Sequence, residues 1–337
     1  MLNNQNDQKN ALKIAKKAQC PIFCDAASGI RLSNLSCALY PIDTIVQFDS
    51  KHPILTPDLI IHIGGTFVSK HLPKWIEQQK CPIVQISPNP KRTQIAVQTK
   101  IIASIPCDVG ALKHPIPAPL IQKSIEERIE QLCSSTLCEP SIIRTCTQSL
   151  PAQTSLFISN SMPVRDLNRF AHTNHDWIRT GVNRGASGID GIVATAAGWT
   201  HASQKPAVLL IGDLASIHDI GSLLQLSTRK IPLLVCIINN GGGGIFSFLP
   251  IKQEKDIFED YFATTHKTTI ALLTRAMGIP SFCIETLSDF QQALSRFYKY
   301  PRFTVLELHT DRTENHNIHK KLEQAITKTL SIFASSI

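Results

Sequence analysis

Two apolar runs in the second half of the chain each end in a polar pair, and this feature constrains the fold most. Residues 207–211 lead into a Gly-Asp pair that ends at Asp213, and residues 232–238 lead into an Asn-Asn pair that ends at Asn240. Brief, β-branched runs of this kind are typical of strands buried in a parallel sheet. A helix-like segment separates them, so both polar pairs are expected at the carboxyl edge of one sheet, where ligands bind in open α/β folds.

The same alternation of brief apolar runs and helical periodicity extends along the chain. We predict strands at 21–24, 44–48, 59–63, 82–86, 155–159, 207–211, 232–238 and 303–308. We predict helices at 8–19, 67–79, 121–146, 189–202, 216–228, 268–276 and 288–298. Strands that alternate with helices predict the α/β class with parallel sheets.

A proline-rich stretch at 111–120 divides this pattern into two parts. Prolines at such density are typical of a linker. We therefore predict a first domain over 1–110, a linker with a connecting helix over 111–150, and a second domain over 151–337. Each domain is expected to be a three-layer structure around a parallel sheet.

Composition narrows the class of protein and its partners. The 337 residues are 43% hydrophobic and contain no apolar run long enough to span a membrane, and the N-terminal segment lacks the features of a secretory signal. Ten cysteines occur without a CxxC spacing, which favours reduced thiols in the cytoplasm over disulfides or zinc. The net charge of +8 is dispersed, so we expect anionic small substrates and no nucleic acid or membrane partner.

Oxygen ligands at the two strand ends predict a metal site. Asp213 offers a carboxylate, Asn240 an amide carbonyl, and Gly242 a backbone carbonyl that no side chain blocks. Three hard oxygen ligands suit Mg²⁺ or Ca²⁺ and leave coordination positions that phosphate oxygens commonly fill. A helix that begins just after Gly212 would direct free N–H groups at an anion. The spacing therefore predicts a metal-bridged diphosphate.

Four segments carry a resemblance to a known family. They are FISNSMPVRDLNRF (157–170), VNRGASGIDGIVATAAG (182–198), GDLASIHD (212–219) and NNGGGGIFSFLP (239–250). Asp213 and Asn240 lie 27 positions apart, which resembles the thiamine-diphosphate signature, although Leu214 replaces its second glycine. Together the segments resemble the MenD family, the 2-succinyl-5-enolpyruvyl-6-hydroxy-3-cyclohexene-1-carboxylate synthases of menaquinone biosynthesis.

The resemblance implies a second domain of the thiamine-diphosphate-binding fold and a set of cofactor contacts. In the family, the residues that correspond to Asp213, Asn240 and Gly242 hold Mg²⁺ (or Mn²⁺). Ile189 corresponds to the apolar residue that supports the bent cofactor, and Gly212 and Ile245 also belong to the matching cofactor motifs. Thiamine diphosphate is therefore the implied cofactor.

The resemblance also implies a reaction and its substrates. The family decarboxylates 2-oxoglutarate and adds the resulting four-carbon unit to isochorismate, and arginine suits the carboxylates of both molecules. The implied substrate contacts are Ser161, Arg165, Arg184 and Phe246, with Lys70 and His71 in the first domain. The family has arginine where this chain has His71.

No catalytic residue can be mapped onto this chain. The family glutamate that activates the cofactor lies in an N-terminal pyrimidine-binding domain, and Met1 aligns with the start of the middle domain. We therefore expect catalysis to require that domain from another chain, in a homo-oligomer with sites between subunits. Two alternatives stay open: a non-catalytic remnant or binding module, and another thiamine-diphosphate-dependent 2-oxoacid decarboxylase. A nucleotide-binding Rossmann protein is disfavoured because no GxGxxG follows the first strand.

Overall fold

The computed structural model describes residues 5–17, 19–87, 99–102, 116–152, 154–173 and 178–335. They fall into two compact units. Unit 1 is drawn from Met1–Gln131, Thr173–Trp177 and Leu322–Ile337, and unit 2 from Leu132–His172 and Ile178–Lys321. Each unit holds a parallel sheet with helices, which confirms the predicted α/β class. The domain boundary predicted at residue 110 lies outside the described residues.

Unit 1 contains a three-stranded parallel sheet in the order β1-β2-β3. Its elements are α1 (Gln5–Lys17), α2 (Ile42–Asp49), β1 (Ile60–Ile63), α3 (Leu72–Gln78), β2 (Ile83–Ile86), β3 (Thr99–Ile102) and most of α4 (Ala118–Cys133). The strands predicted at 59–63 and 82–86 are β1 and β2. The strand predicted at 21–24 is wrong, because only an isolated bridge between Ile22 and Ala38 forms there.

The strand predicted at 44–48 is also wrong, because this run lies inside helix α2. A short apolar, β-branched run does not distinguish a strand from a buried helical turn, and tertiary packing decides between them. Here the helix ends at Asp49, whose carboxylate accepts the N–H groups of Ile54 and Leu55 and the indole N–H of Trp75. These bonds hold the end of α2 against the following loop and α3.

Unit 2 contains a six-stranded parallel sheet in the order β5-β4-β6-β7-β9-β8. Its strands are β4 (Ser155–Ile158), β5 (Arg179–Val182), β6 (Ala207–Gly212), β7 (Leu233–Asn239), β8 (Ser281–Ile284) and β9 (Thr304–His309). Its helices are α5 (Glu139–Gln148), α6 (Met162–Phe170), α7 (Ile192–Ser203), α8 (Asp213–His218), α9 (Ile220–Leu226), α10 (Lys255–Ile257), α11 (Ile270–Ala276), α12 (Leu287–Lys299) and the first part of α13 (Arg312–Ala334).

The two apolar runs that ended in polar pairs are the central strands β6 and β7. From Ala207 to Ile211 and from Leu233 to Ile237 every residue is fully buried, as expected of parallel strands covered by helices on both faces. The strands pair in register, with Gly212 opposite Ile238. Because both run in the same direction, their polar ends lie side by side at the carboxyl edge of the sheet.

The connecting segment folds differently from the single helix predicted at 121–146. Two helices form, α4 and α5, with Cys138 at the N-cap of α5 and Pro140 in its first turn. The side chain of Ser141 accepts the backbone N–H of Cys138, which satisfies a donor at the start of the second helix. Proline is favoured in the first turn of a helix, so Pro140 starts a new helix instead of continuing the old one.

Two expectations from the composition concern the cysteines and the helices of the described residues. Their cysteines are all free thiols, as the spacing predicted. None of their helices is both long and apolar enough to cross a membrane.

Acid is expected to destabilise unit 1 through His62 on β1. The side chain is buried and its ring packs 4.4 Å from the ring of Phe67, and burial lowers its pKa to about 4. Below about pH 6.5 the unfolded chain binds a proton at this position that the folded chain accepts only near pH 4. The free energy of unfolding should therefore fall as pH falls through this window, by about 2 kcal/mol between pH 7 and pH 5 from this group alone.

Urea unfolding at the two pH values measures this effect. The variant His62→Phe should lose about 2 kcal/mol less than the wild type between pH 7 and pH 5. The exposed His52, whose ring also packs beside a phenylalanine, provides the matched control. If His62→Phe and His52→Phe show the same pH dependence as the wild type, the buried histidine is not responsible.

Candidate functional site

The carboxylate of Asp213 joins the ends of β6 and β7. The residue is buried at the start of α8, and its Oδ1 accepts the N–H of Leu214 at 2.7 Å. Its Oδ2 accepts the backbone N–H groups of Asn240 at 3.1 Å and Gly242 at 2.9 Å. Asp213, Asn240 and Gly242, predicted as the three metal ligands, therefore lie together at one point of the sheet edge.

The glycines that follow Asn240 are required by close backbone packing. Gly241 and Gly242 have φ values of 74° and 148°, which favour glycine. A Cβ atom on Gly242 would lie 2.4 Å from the backbone oxygen of Ala263, and one on Gly243 would lie 2.8 Å from that of Phe262. The turn can therefore fold against the 258–263 segment only without side chains, and this brings the N–H of Gly242 to Asp213.

The side-chain oxygen of Asn240 has no hydrogen-bond partner in the part of the chain that the structure describes. Its Nδ2 donates to Oε1 of Glu139 at 2.7 Å, whereas its buried Oδ1 accepts no hydrogen bond from the described residues. An unsatisfied buried acceptor costs about 1–3 kcal/mol, a cost that a cation bound at this oxygen would remove. Oδ1 of Asp213, with one N–H bond, also retains an open lone pair.

The oxygen set fits a divalent cation. Besides the carboxylate and the amide oxygen, the carbonyl of Gly242 accepts one hydrogen bond, from the N–H of Gly244 at 2.9 Å, and keeps its second lone pair. Carboxylate, amide and backbone oxygens are the ligands that Mg²⁺ and Mn²⁺ prefer. The arrangement can therefore hold such an ion and, through it, an anionic phosphate group.

Burial makes the charge of Asp213 unfavourable in the protein alone. It raises the pKa of this carboxyl, while the N–H bonds from Leu214 and Gly242 and the nearby His266 act in the opposite direction. The Nε2 atom of His266 lies 3.3 Å from Oδ2 of Asp213, and its Nδ1 accepts the N–H of Thr268. A buried carboxylate that pays a desolvation penalty in this position is typical of a functional site.

A cavity of about 460 Å³ lies beside Asn240, Gly241 and His266. Lys252, Lys267 and Arg312 line it on the other sides. Arg312 forms an ion pair with Glu259 at 2.7 Å, so part of this positive charge is neutralised. Asp311 also lines the cavity, so its three cations exceed its two carboxylates by one charge, and this small excess favours anions next to the predicted metal ligands.

The predicted serine and arginines surround the loop after β4. Ser161, with φ 71° and ψ −131°, is a strained non-glycine residue at the start of α6. Arg165 donates to its carbonyl oxygen at 2.6 Å. Arg184 donates to Oδ1 of Asn160, at 3.2 Å, and the Nδ2 of Asn160 donates to the carbonyl of Gly188. Asn160 thus connects the two motifs that contain the arginines.

The remaining predicted residues fall into two groups. Ile189 is partly buried against the core of unit 2, and Ile245 and Phe246 lie half-buried in the short helix over Gly244–Phe248, where the Phe246 ring packs on Phe262. Lys70 and His71 belong to unit 1, where Lys70 is exposed and His71 immediately precedes α3. The roles of all these residues remain predictions.

Two site residues were not identified in the sequence. Glu139 comes from α5, 101 positions before Asn240, and His266 comes from the loop before α11. The one local signal for Glu139 was the Glu-Pro-Ser helix start, which lies inside the connecting helix predicted at 121–146. No local pattern marks His266.

A family comparison agrees with this geometry. Residues 161–308 match the family model described as "Thiamine pyrophosphate enzyme, C-terminal TPP binding domain". A solved structure, described as "X-ray structure of a putative thiamin diphosphate-dependent enzyme isolated from Mycobacterium smegmatis", superposes with a TM-score of 0.64, covering 91% of this chain and 59% of that chain. At 14% identity this likeness shows the fold alone. Unit 2 therefore contains the C-terminal domain of the thiamine pyrophosphate enzyme class that the family model describes.

Curated relatives extend the comparison over nearly the whole chain. It is 32% identical to a 2-succinyl-5-enolpyruvyl-6-hydroxy-3-cyclohexene-1-carboxylate synthase of Chlorobium limicola over 97% of its length, and 34% identical to that of Pelodictyon phaeoclathratiforme over 93%. The chain fits the family of these synthases, MenD, which confirms the resemblance found in the motifs. It spans 58% of the first relative and 55% of the second.

Proposed function

We propose that this chain supplies the diphosphate-binding part of a synthase in menaquinone biosynthesis. The reaction is the decarboxylation of 2-oxoglutarate and the addition of the resulting four-carbon unit to isochorismate. Because the chain spans little more than half of its relatives, the reaction is assigned to the assembled enzyme and not to this segment alone.

One observation carries the proposal. In a domain that matches the thiamine pyrophosphate family, the backbone N–H of Asn240 donates to the carboxylate of Asp213, and the buried Oδ1 of Asn240 has no hydrogen-bond partner among the described residues. A carboxylate and a free amide oxygen on neighbouring strand ends are ligands that a divalent ion bound to a diphosphate can use. When bound, thiamine diphosphate supplies the carbon acid at which a 2-oxoacid loses carbon dioxide.

The residues of this chain then bind the metal ion, and they orient and shield the cofactor and the substrates. Asp213, Asn240 and the carbonyl of Gly242 hold Mg²⁺ or Mn²⁺, and the lysines beside Asn240 favour the anionic groups. Ile189, Ile245 and Phe246 provide apolar surface for the cofactor and substrate. Ser161, Arg165 and Arg184 bind substrate carboxylates, for which the bidentate geometry of arginine is suited. Lys70 and His71 add contacts to isochorismate.

We propose that a pyrimidine-binding domain provides the glutamate for the proton transfer that activates the cofactor, and that sites form between subunits of a homo-oligomer in the cytoplasm. General acid–base catalysis of this kind contributes about 10²–10⁴-fold to a rate. The chain by itself is therefore expected to bind the cofactor but to turn over little 2-oxoglutarate.

Two measurements test the proposal. Titration calorimetry should detect binding of thiamine diphosphate to the chain with Mg²⁺ and much weaker binding with EDTA. Carbon dioxide release from 2-oxoglutarate should be low for the chain alone and should rise when a separately produced pyrimidine-binding domain is added. Binding that is independent of metal would contradict the site, and rapid turnover by the chain alone would contradict the need for the second domain.

Replacing Arg184 should weaken the binding of substrate but not of cofactor. Arg184→Ala removes a guanidinium that the structure fixes through Asn160, and the lost charge-assisted contact should weaken 2-oxoglutarate or isochorismate binding by about tenfold or more. Calorimetry with Mg²⁺ and thiamine diphosphate present measures this. Arg179, which stacks 4.5 Å over Trp199, gives the control variant Arg179→Ala, expected to change neither affinity. Equal loss of cofactor and substrate binding would identify Arg184 as structural.

A further inference from the structure

Each residue of the Asn239-Asn240 pair donates its side-chain N–H to a buried glutamate. Nδ2 of Asn239 donates to Oε1 of Glu307 at 2.6 Å, and Nδ2 of Asn240 donates to Oε1 of Glu139 at 2.7 Å. Glu307 is fully buried and Glu139 is 1% exposed. The two glutamates come from different elements, β9 and α5, so two separate parts of the fold converge on one dipeptide.

The Glu139 contact determines which atom of the Asn240 amide faces the site. A terminal amide rotates between two similar positions, and its hydrogen bonds select one of them. Since Oε1 of Glu139 accepts, the NH₂ group must face α5 and the carbonyl oxygen must face away from it. That oxygen is the buried atom without a partner among the described residues.

Packing leaves the amide little other freedom. A Cβ on Gly244 would lie 2.6 Å from Nδ2 of Asn240, so the side chain lies directly against the backbone of the glycine turn. If the bond to Glu139 were lost, the main way to satisfy the NH₂ group would be to rotate the amide. Rotation would direct N–H donors at the position of the cation.

We propose that Glu139 is a positioning residue that holds the carbonyl oxygen of Asn240 toward the divalent ion. The inference rests on the proposed function, because it assumes an ion at Asp213 and Asn240. Partners that orient metal ligands through a second hydrogen bond contribute about 10- to 100-fold to metal affinity. Glu139 acts in this way because its side chain is long enough to place an acceptor oxygen at Nδ2 of Asn240. Its charge is not required.

Two conservative variants distinguish the effect of side-chain length from the effect of charge. Glu139→Gln keeps the chain length and a carbonyl acceptor but removes the ionisable carboxyl group, whereas Glu139→Asp keeps an ionisable carboxyl group but is one methylene too short. Free Mn²⁺, measured by electron paramagnetic resonance with saturating thiamine diphosphate, reports the affinity without any need for turnover. We expect Glu139→Asp to weaken Mn²⁺ binding about 10- to 100-fold and Glu139→Gln to weaken it by well under about tenfold.

Glu307→Asp is the matched control, because Glu307 holds Asn239 and also accepts the N–H groups of Ile270 and Ala271. It should lower the melting temperature and leave Mn²⁺ affinity within about twofold.

A larger loss of Mn²⁺ affinity for Glu139→Gln than for Glu139→Asp would show that charge matters and overturn the proposal. The proposal would also be overturned if the loss of Mn²⁺ affinity paralleled the loss of melting temperature in all three variants. A wild-type chain that binds no Mn²⁺ would overturn the proposed function as well, whereas normal wild-type binding with no loss in Glu139→Asp overturns this inference alone.

Discussion

Replacing Asp213 with asparagine should weaken Mg²⁺-dependent binding of thiamine diphosphate at least about 100-fold, with little loss of stability. Even an outer partner of a metal ligand contributes about 10- to 100-fold to affinity, and a ligand itself contributes more. Burial raises the pKa of this carboxyl, so the charge is costly in the protein alone and its removal relieves that cost. Titration calorimetry and urea unfolding of the same variant measure the two quantities.

Asp49 provides a close control for this prediction. It is buried like Asp213, and each carboxylate accepts three N–H groups, but Asp49 belongs to unit 1. Asp49→Asn should cost about 1–3 kcal/mol of unfolding free energy and leave cofactor affinity within about twofold. If Asp213→Asn instead loses stability to the same extent and keeps its cofactor affinity, Asp213 is a structural residue and the metal site is wrong.

Adding one methyl group to the glycine turn should have the second large effect. Gly242→Ala places a Cβ 2.4 Å from a backbone oxygen at a φ of 148°, where no flexible side chain can move away. Strain and overpacking together should cost about 3 kcal/mol of unfolding free energy, and cofactor binding should be lost because the N–H of Gly242 leaves Asp213. Urea unfolding and titration calorimetry report both effects.

The neighbouring glycine distinguishes crowding from a general effect of substitution. Gly241 also has a positive φ, but its nearest contact for a Cβ is 3.4 Å. Gly241→Ala should therefore cost about 1–2 kcal/mol, the cost of a left-handed conformation without a clash. Equal costs at the two positions would show that the packing against Ala263 does not constrain the turn.

The parts of this fold that sequence reasoning predicted are those with strong local patterns. Strands β6 and β7 are fully buried apolar runs of parallel-sheet type, and the polar residues that follow them mark their carboxyl ends. Because parallel neighbours share one edge, the proximity of Asp213 and Asn240 follows from two local patterns and one topological rule. The run at 44–48 lacked such a pattern, and it became helix α2.

Sequence reasoning did not identify the residues that act on the site from a distance. Glu139 reaches Asn240 from the segment predicted as a connecting helix, and His266 approaches Asp213 from the loop before α11. Each is an ordinary residue in its own local sequence. Its relation to the site exists only after helix α5 and the 258–268 segment pack against the ends of the central strands.

The sequence alone determined the α/β class and the resemblance to the MenD synthases, and it predicted Asp213, Asn240 and Gly242 as metal ligands, because each depends on residues that stand together in a short motif. Tertiary structure alone decided that the NH₂ group of Asn240 donates to Glu139 and why the turn must be glycine. Hydrogen-bond direction and close backbone contact are properties of segments far apart in the chain, which no local pattern encodes.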